Sequence, residues 1–231
     1  MTITLITGAN KGLGFETARR LIEAGHTVYA GARDAGRGRE AAERLGARFV
    51  QIDVTDEDSV KAAAEFVRAD AGRLDVLVNN AGIVGARKPV GETTGTDMMT
   101  TYDTNVFGVV RVTHAFLPLL EASDAPVVVN VGSGLGSLAA TGDPDRVEFQ
   151  VRSLDYNSSK TALVMISAQY AKAYPAIRFN TVDPGYTATD LNGHTGPQTV
   201  EEGAEVIVRM ASIGADGPTS GYFDNSGTAV W

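Results

Sequence analysis

The chain has 231 residues, 43% of them apolar and none of them cysteine, with a formal charge of −8 at neutral pH. This is enough for one sizeable core, excludes a disulfide framework or thiolate metal site, and leaves three scattered histidines, His26, His114 and His194, with no paired metal-ligand spacing. The negative balance argues against nucleic acid as main partner; no apolar run reaches about 18 residues, so no membrane span is expected, and Met1-Thr-Ile-Thr lacks the basic and apolar regions of a secretion signal, so a cytoplasmic protein is expected.

Short β-branched runs alternate with segments of helical period along the whole chain. ITLIT precedes a helix over Phe15 to Ala24; TVYAGA precedes Ala35 to Leu45; RFVQI precedes Ser59 to Ala71; LDVLVN precedes Asp97 to Leu120. PVVVNV, Tyr156 to Tyr174, IRFNTV, Val200 to Ala211 and a last run near Gly221 to Phe223 complete the pattern. Strands that are apolar throughout and alternate with helices predict a parallel sheet buried on both faces, here a doubly wound α/β fold of about seven strands in one domain, residues 1–231. Thr55-Asp-Glu-Asp58 supplies a cap and acid for the third helix, and Gly25, Gly46 and Gly72 sit where helices should stop. Two long loops, Gly134 to Asp155 and Gly185 to Thr199, follow strand ends, the edge where open α/β sheets bind ligands.

Gly8, Gly12 and Gly14 lie between the first strand and first helix. Their backbone amides and the helix dipole suit a pyrophosphate, although the spacing is not G-x-G-x-x-G. Tyr156 and Lys160 are four residues apart in a helical segment and share a face. A nearby ammonium stabilises a phenolate, so the pair reads as a general acid or base whose phenol is brought toward neutral pH. At the end of the second strand, about 20 residues beyond the glycines, an acid would bind a ribose 2′-hydroxyl; the chain has Ala32-Arg33 there. Arg33 suits a phosphate at that point, with Lys11 reaching it from the other side.

TGANKGLG resembles the T-G-x-x-x-G-x-G loop of the short-chain dehydrogenase/reductase family. Asp53-Val54, Asn79-Asn80-Ala81-Gly82, Asn105 in TNVFG, Ser133 in VNVGS, Tyr156-x-x-x-Lys160 and Pro184-Gly185 match the same family in order. The resemblance implies a Rossmann-type fold with strand order 3-2-1-4-5-6-7 and a nicotinamide cofactor held by Gly8, Asn10, Lys11, Gly12, Leu13, Gly14, Arg33, Asp53, Val54, Asn80, Ala81, Gly82, Tyr156, Lys160, Pro184, Gly185, Thr187 and Thr189. It implies hydride transfer between that cofactor and a carbonyl or alcohol, and Arg33 with Lys11 at the 2′ position favours NADP(H) over NAD(H). Tyr156 would be the proton donor, Ser133 would bond the substrate oxygen, Lys160 would also bond the nicotinamide ribose, and the Asn105 main-chain carbonyl would help hold a relay water.

Between Ser133 and Tyr156 lie 22 residues, a longer interval than is usual in the family. The excess, with the ANKG and ARDAGRG stretches, resembles the NADPH-dependent carbonyl-reductase branch, in which such an insertion covers a helix face used for assembly; a monomer is expected. Leu135, Leu138, Phe149, Tyr186 and Leu191 are candidates for a substrate pocket, with a small substrate-loop region at 185–200. The alternative is a non-catalytic NADP(H)-sensing regulator on the same fold, for which a missing tyrosine or lysine would be expected.

Overall fold

A computed structural model describes residues 1–231. Eight strands form one sheet in the order β3-β2-β1-β4-β5-β6-β7-β8. They are β1 (Ile3–Ile6), β2 (Thr27–Ala32), β3 (Arg48–Gln51), β4 (Val76–Asn79), β5 (Val127–Val131), β6 (Arg178–Val182), β7 (Tyr222–Asp224) and β8 (Gly227–Thr228). Every pairing is parallel except β7 with β8. The fold is thus the expected Rossmann-type sheet with one strand more. The extra strand is the return arm of a hairpin, Asp224 to Gly227, whose Asp224 carboxylate accepts from the Ser226 and Gly227 amides.

The helices are α1 (Gly12–Glu23), α2 (Ala35–Leu45), α3 (Glu57–Ala71), α4 (Gly95–Tyr102), α5 (Gly108–Leu120), α6 (Leu138–Gly142), α7 (Leu154–Ala173) and α8 (Val200–Ala211). Successive strand residues serve opposite cores, as the period of two requires. Leu5, Leu77, Val128 and Phe179 pack with α3 and α5 through Val67, Val112, Phe116 and Leu120. Ile6, Val78, Val129 and Val182 pack with α1 and α8 through Leu21, Val206, Ile207 and Met210. Caps fix the helix ends. Asp56 accepts from the Asp58 and Ser59 amides, and Gly46 and Gly72 take left-handed conformations at φ 67° and 74°. None of these helices is long and apolar enough to cross a membrane.

Two segments depart from the sequence pattern. The single helix expected over Asp97 to Leu120 is instead α4 and α5 joined by a π-helical segment, Asp103–Phe107. Apolar spacing carries no signal of one inserted residue, and a π segment keeps the helix axis continuous while changing which side chains face inward. Asn105 lies in that segment, 1% exposed. The expected loop from Gly134 to Asp155 holds a 3-10 turn at Gly134–Gly136, α6, and a second turn at Val147–Gln150. Ser137 caps α6 through the Ala140 amide and donates its hydroxyl to the Val230 carbonyl at 2.7 Å, so the C-terminus is tied to this insertion.

The chain order reverses between β1 and β4, leaving a crevice at the carboxyl ends of the strands. The loops after β1, β4, β5 and β6 meet there. Phe116, fully buried between the sheet and α5, is a principal strut of the core beneath that edge. Phe116→Ala should lower unfolding free energy by about 3–5 kcal/mol, read by urea denaturation; a loss under about 1 kcal/mol would contradict this packing.

Candidate active site

The loop after β1 is shaped by close backbone approach. Gly8 and Gly12 have φ of 66° and 56°, a region that β-carbons disfavour. A β-carbon on Gly14 would lie 2.6 Å from the Gly8 carbonyl oxygen, and one on Gly8 would lie 3.1 Å from Ala81 Cα. Asn80 Nδ2 donates to the Thr7 and Gly8 carbonyls at 2.8 and 3.2 Å, while Thr7 Oγ1 accepts from the Asn80 and Ala81 amides, both at 3.0 Å. These bonds fasten the turn after β4 to the glycine loop. Lys11 occupies the N-cap of α1 without a side-chain cap bond, and the first turn carries no acid. Such an end offers free amides and partial positive charge, so the cleared loop fits a dinucleotide pyrophosphate. Asn10 is half-buried on this loop, and the Leu13 side chain turns away toward Gly203 on α8.

The two cations singled out in the sequence are held by different acids. Arg33 Nε lies 4.0 Å from Asp53 Oδ2, with the arginine side chain 75% exposed. Lys11 Nζ is 2.6 Å from Asp190 Oδ2 in the loop after β6. Exposed pairs of this kind contribute little and are readily exchanged for another anion. Val54 is buried, its Cγ2 2.9 Å from where a β-carbon of Gly108 would stand. That packing sets the distance between the loop after β3 and α5.

Ser133 follows β5 in extended backbone, and its Oγ accepts from the Leu135 amide at 3.3 Å. Tyr156 lies in the first turn of α7 and Lys160 one turn later, as the spacing predicted. Lys160 is 6% exposed; its Nζ is 5.7 Å from the Tyr156 ring centroid and donates to the Val131 carbonyl at 2.7 Å. A β-carbon on Gly82 would be 3.3 Å from Asn105 Oδ1 and 3.7 Å from Lys160 Nζ, so the turn after β4, the π segment and α7 converge at one point. Here Asn105 uses its side chain: Oδ1 accepts from the Ile83 amide and Nδ2 donates to the Ile83 carbonyl, both at 2.9 Å, and Nδ2 also donates to Ser159 Oγ at 3.1 Å.

Burial dominates the electrostatics. It pushes the Tyr156 phenol up to about 12, with the Ser133 hydroxyl pulling it down and Asp183 pushing it further up. It pushes the Lys160 ammonium down to about 8, opposed by Asp183. The expectation that the ammonium draws the phenol toward neutrality is therefore corrected for the ligand-free site. Losing the hydration of a phenolate outweighs the nearby cation.

In the loop after β6, Gly185 has φ 72° and its amide donates to Asp183 Oδ1 at 2.9 Å. Thr187 is 4% exposed and donates to the carbonyl of buried Pro184 at 3.1 Å. Thr189 Cγ2 faces the glycine loop, 3.7 Å from the β-carbon position of Gly12. Tyr186, Leu191 and Phe149 are exposed. Leu135 and Leu138 line a groove of about 450 Å³ with Leu154, Asn157, Thr161 and Met165, and neither Tyr156 nor Lys160 borders it. Leu135, in the turn after β5, and Leu138, at the start of α6, face α7 across this groove.

Sequence reasoning missed Asp155. Its carboxylate, 2% exposed, accepts from the Ala86 amide at 2.9 Å, Thr101 Oγ1 at 2.8 Å, the Tyr156 amide at 2.9 Å and Ser153 Oγ at 3.1 Å. Gly85, at φ 86°, leaves the space that this carboxylate fills. An acid beside Tyr156 at a helix start was the one available signal, and it reads equally as an ordinary helix-terminal charge.

The sequence profile described as short chain dehydrogenase matches residues 2–200. Salutaridine reductase of Papaver bracteatum is 32% identical, with 98% of this chain and 95% of that protein covered. (−)-Isopiperitenone reductase of Mentha piperita is 32% identical, covering 95% of each. That alignment runs over 297 positions against 231 residues here, so the relative carries segments that this chain lacks. Among solved structures, NADPH-bound carbonyl reductase from chicken fatty liver superposes with a TM-score of 0.88 at 26% identity over 100% of both chains. Salutaridine reductase from Papaver somniferum gives 0.84 at 29% identity, covering 97% of this chain and 100% of that one. With the profile spanning most of the chain and the relatives nearly all of it, the chain belongs to the short-chain dehydrogenase/reductase family of oxidoreductases, which work with a nicotinamide cofactor.

Proposed function

We propose that this chain is an NADP(H)-dependent reductase of ketones or aldehydes, working by a Ser-Tyr-Lys mechanism with Asn105 in support. One observation carries the reading: Lys160 Nζ stands 5.7 Å from the Tyr156 ring centroid, buried beside the turn that is bonded to the glycine loop. The bound cofactor supplies hydride to the carbonyl carbon. The glycine-loop amides at Asn10, Gly12, Leu13 and Gly14 hold its pyrophosphate, Asp53 and Val54 the adenine, and Asn80, Ala81 and Gly82 the adenosine side. Pro184, Gly185, Thr187 and Thr189 hold the nicotinamide side.

Tyr156 donates its proton to the substrate oxygen. A phenol pushed up to about 12 is fully protonated at neutral pH, yet it is a stronger acid than an alcohol, whose pKa lies near the roughly 15.7 of water. Transfer to a developing alkoxide is therefore downhill. Ser133 Oγ, close enough to act on the phenol, bonds the same substrate oxygen and polarises it. Lys160 stabilises the phenolate left behind, and Asn105 holds the Ile83 segment against α7 so that a proton can be resupplied beside the ammonium.

Arg33 and Lys11 support the choice of NADP(H). Arg33 stands at the end of β2 with its side chain 75% exposed, and Lys11 sits in the glycine loop, paired with Asp190 of the loop after β6. The chicken reductase that this chain superposes on is NADPH-bound, which favours the same choice. The substrate is a small molecule, as for the relatives; a monomer and a cytoplasmic setting complete the reading.

Consumption of NADPH against a panel of ketones, aldehydes and quinones, repeated with NADH, tests the activity. At least a tenfold preference for NADPH is expected, on the order of the 1.5–3 kcal/mol of charged hydrogen bonds, and equal efficiency with NADH would refute it. Tyr156→Phe should cost about 100-fold or more in kcat with NADPH affinity unchanged; retention of a tenth of the activity removes the assigned role. The pH profile of reduction should fall as pH rises through about 8, because Lys160 loses its proton there while Tyr156 keeps its own. A flat profile to pH 10, the ordinary lysine range, would contradict this.

A further inference from the structure

Helix α7 presents Tyr156 and Lys160 to the site, and the residue before each of them is turned to another neighbour. Asp155 and Ser159 are four apart, as are Thr101 and Asn105 on α4 and the π segment, which pack beside α7. Two polar rungs join these faces. Thr101 Oγ1 donates to Asp155 Oδ2 at 2.8 Å, and Asn105 Nδ2 donates to Ser159 Oγ at 3.1 Å. The segment after β4 is stitched to both: the Ala86 amide donates to Asp155 Oδ2 at 2.9 Å, and Asn105 clasps Ile83. The rungs also hold the Tyr156 backbone from its two ends, since its amide donates to Asp155 Oδ1 at 2.9 Å and its carbonyl accepts from Ser159 Oγ at 2.7 Å. The mechanism above uses the second rung, through Asn105, and gives the first no role. We propose that Asp155 is a positioning residue for Tyr156: by bridging Thr101 and Ala86 to the start of α7, it sets the rotation of that helix and so the direction in which the phenol is aimed.

An α-helix turns by about 100° per residue, so a face fixed at Asp155 decides where Tyr156 points. The carboxylate divides its two oxygens between the two sides of this contact. Oδ1 serves its own helix start, accepting the Tyr156 amide and, at 3.1 Å, Ser153 Oγ; Oδ2 serves Thr101 and Ala86 outside it. Ser153, the N-cap residue of α7, makes no capping bond, and Asp155 satisfies one of the free amides of that first turn in its place. Asp155 and Thr101 are both buried. Gly85 clears the space for them, because a β-carbon there would overlap the Asp155 carboxylate and lie 2.5 Å from Thr101 Oγ1. Burial pushes the Asp155 carboxyl up, but the Ala86 amide, Thr101 and the other two donors hold it below its ordinary value. It is therefore an anion at neutral pH, and its four bonds to neutral donors are charge-assisted. Lys160 is fixed separately, by its own bond to the Val131 carbonyl and by the second rung at Ser159.

The inference deepens the proposed reductase reading and rests on it for its effect on turnover, but one readout needs no turnover. With the tyrosine rings carbon-labelled in the ligand-free protein, the Tyr156 NMR signal is assigned by its loss in Tyr156→Phe. That signal should shift in Asp155→Asn, which sets an amino group against the donors, and in Thr101→Val, which removes the outer donor alone. It should stay in place in Thr101→Ser, which keeps the donor. Thr101→Val keeps the test open if Asp155→Asn fails to fold. In turnover, Asp155→Asn and Thr101→Val should each lower kcat by about tenfold or more, the scale of a small misplacement of a reacting group. NADPH affinity should be unchanged in both, and Thr101→Ser should keep the wild-type rate. The double variant should be no slower than Asp155→Asn alone, because both changes act through one bond. A merely structural role would lower the melting temperature and leave kcat per NADPH-binding site unchanged. A Tyr156 signal that stays in place in both Asp155→Asn and Thr101→Val, or a kcat per site that holds in both, overturns the inference. A wild type that reduces no carbonyl while the Tyr156 signal shifts as stated sinks the reductase reading alone.

Discussion

The burial of one ammonium organises this structure. Lys160 is nearly sealed from water, and its Nζ is held by the bond it donates to the Val131 carbonyl at 2.7 Å. A cation in so little water is costly unless it is bonded and compensated. Everything around it supplies that compensation. β5 ends at the right height to present a free carbonyl, α7 delivers the lysine one turn after Tyr156, and the turn after β4 closes the third side through Gly82.

The same enclosure explains why the two titrating groups move in opposite senses. Desolvation disfavours whichever form is charged, so the phenol becomes harder to ionise and the ammonium easier to neutralise. For a reductase this is favourable. The acid must arrive protonated and need give up its proton only to a forming alkoxide, and the cation must last only through neutral pH. The scaffold keeps this geometry through short-range polar fasteners rather than through apolar packing alone. Asp155 gathers four donors from three segments beside Tyr156, Asn105 clasps both main-chain groups of Ile83, and Asn80 and Thr7 join two strand ends. Each removes freedom from a loop that must otherwise be ordered by the ligand.

Much of this was legible in the sequence because it depends on local pattern. Apolar runs of β-branched residues alternating with helical period announced the parallel sheet, and α2 and α8 begin and end where Ala35, Leu45, Val200 and Ala211 predicted. The four-residue spacing of Tyr156 and Lys160 put them on one helix face. The remainder depends on partners distant in the chain. The π segment at Asp103–Phe107 changes helical phase without changing composition, so the side-chain bonds of Asn105 to Ile83 and Ser159 left no signal in the sequence. Asp155 looks like an ordinary helix-start acid until residues 86 and 101 are brought against it. The eighth strand has only two residues and exists because Asp224 turns the chain back. The direction of the Tyr156 shift could not be read from spacing either, since it is set by burial, a property of the finished fold.

The most direct test of this account replaces Lys160 with methionine, which keeps the length of the side chain and removes its charge. With the fold and melting temperature retained, NADPH-dependent carbonyl reduction should drop by about 100-fold or more, the scale of a lost proton-transfer assistance. A Lys160→Met protein that keeps a tenth or more of wild-type turnover would show that the buried ammonium is not what the site is built around.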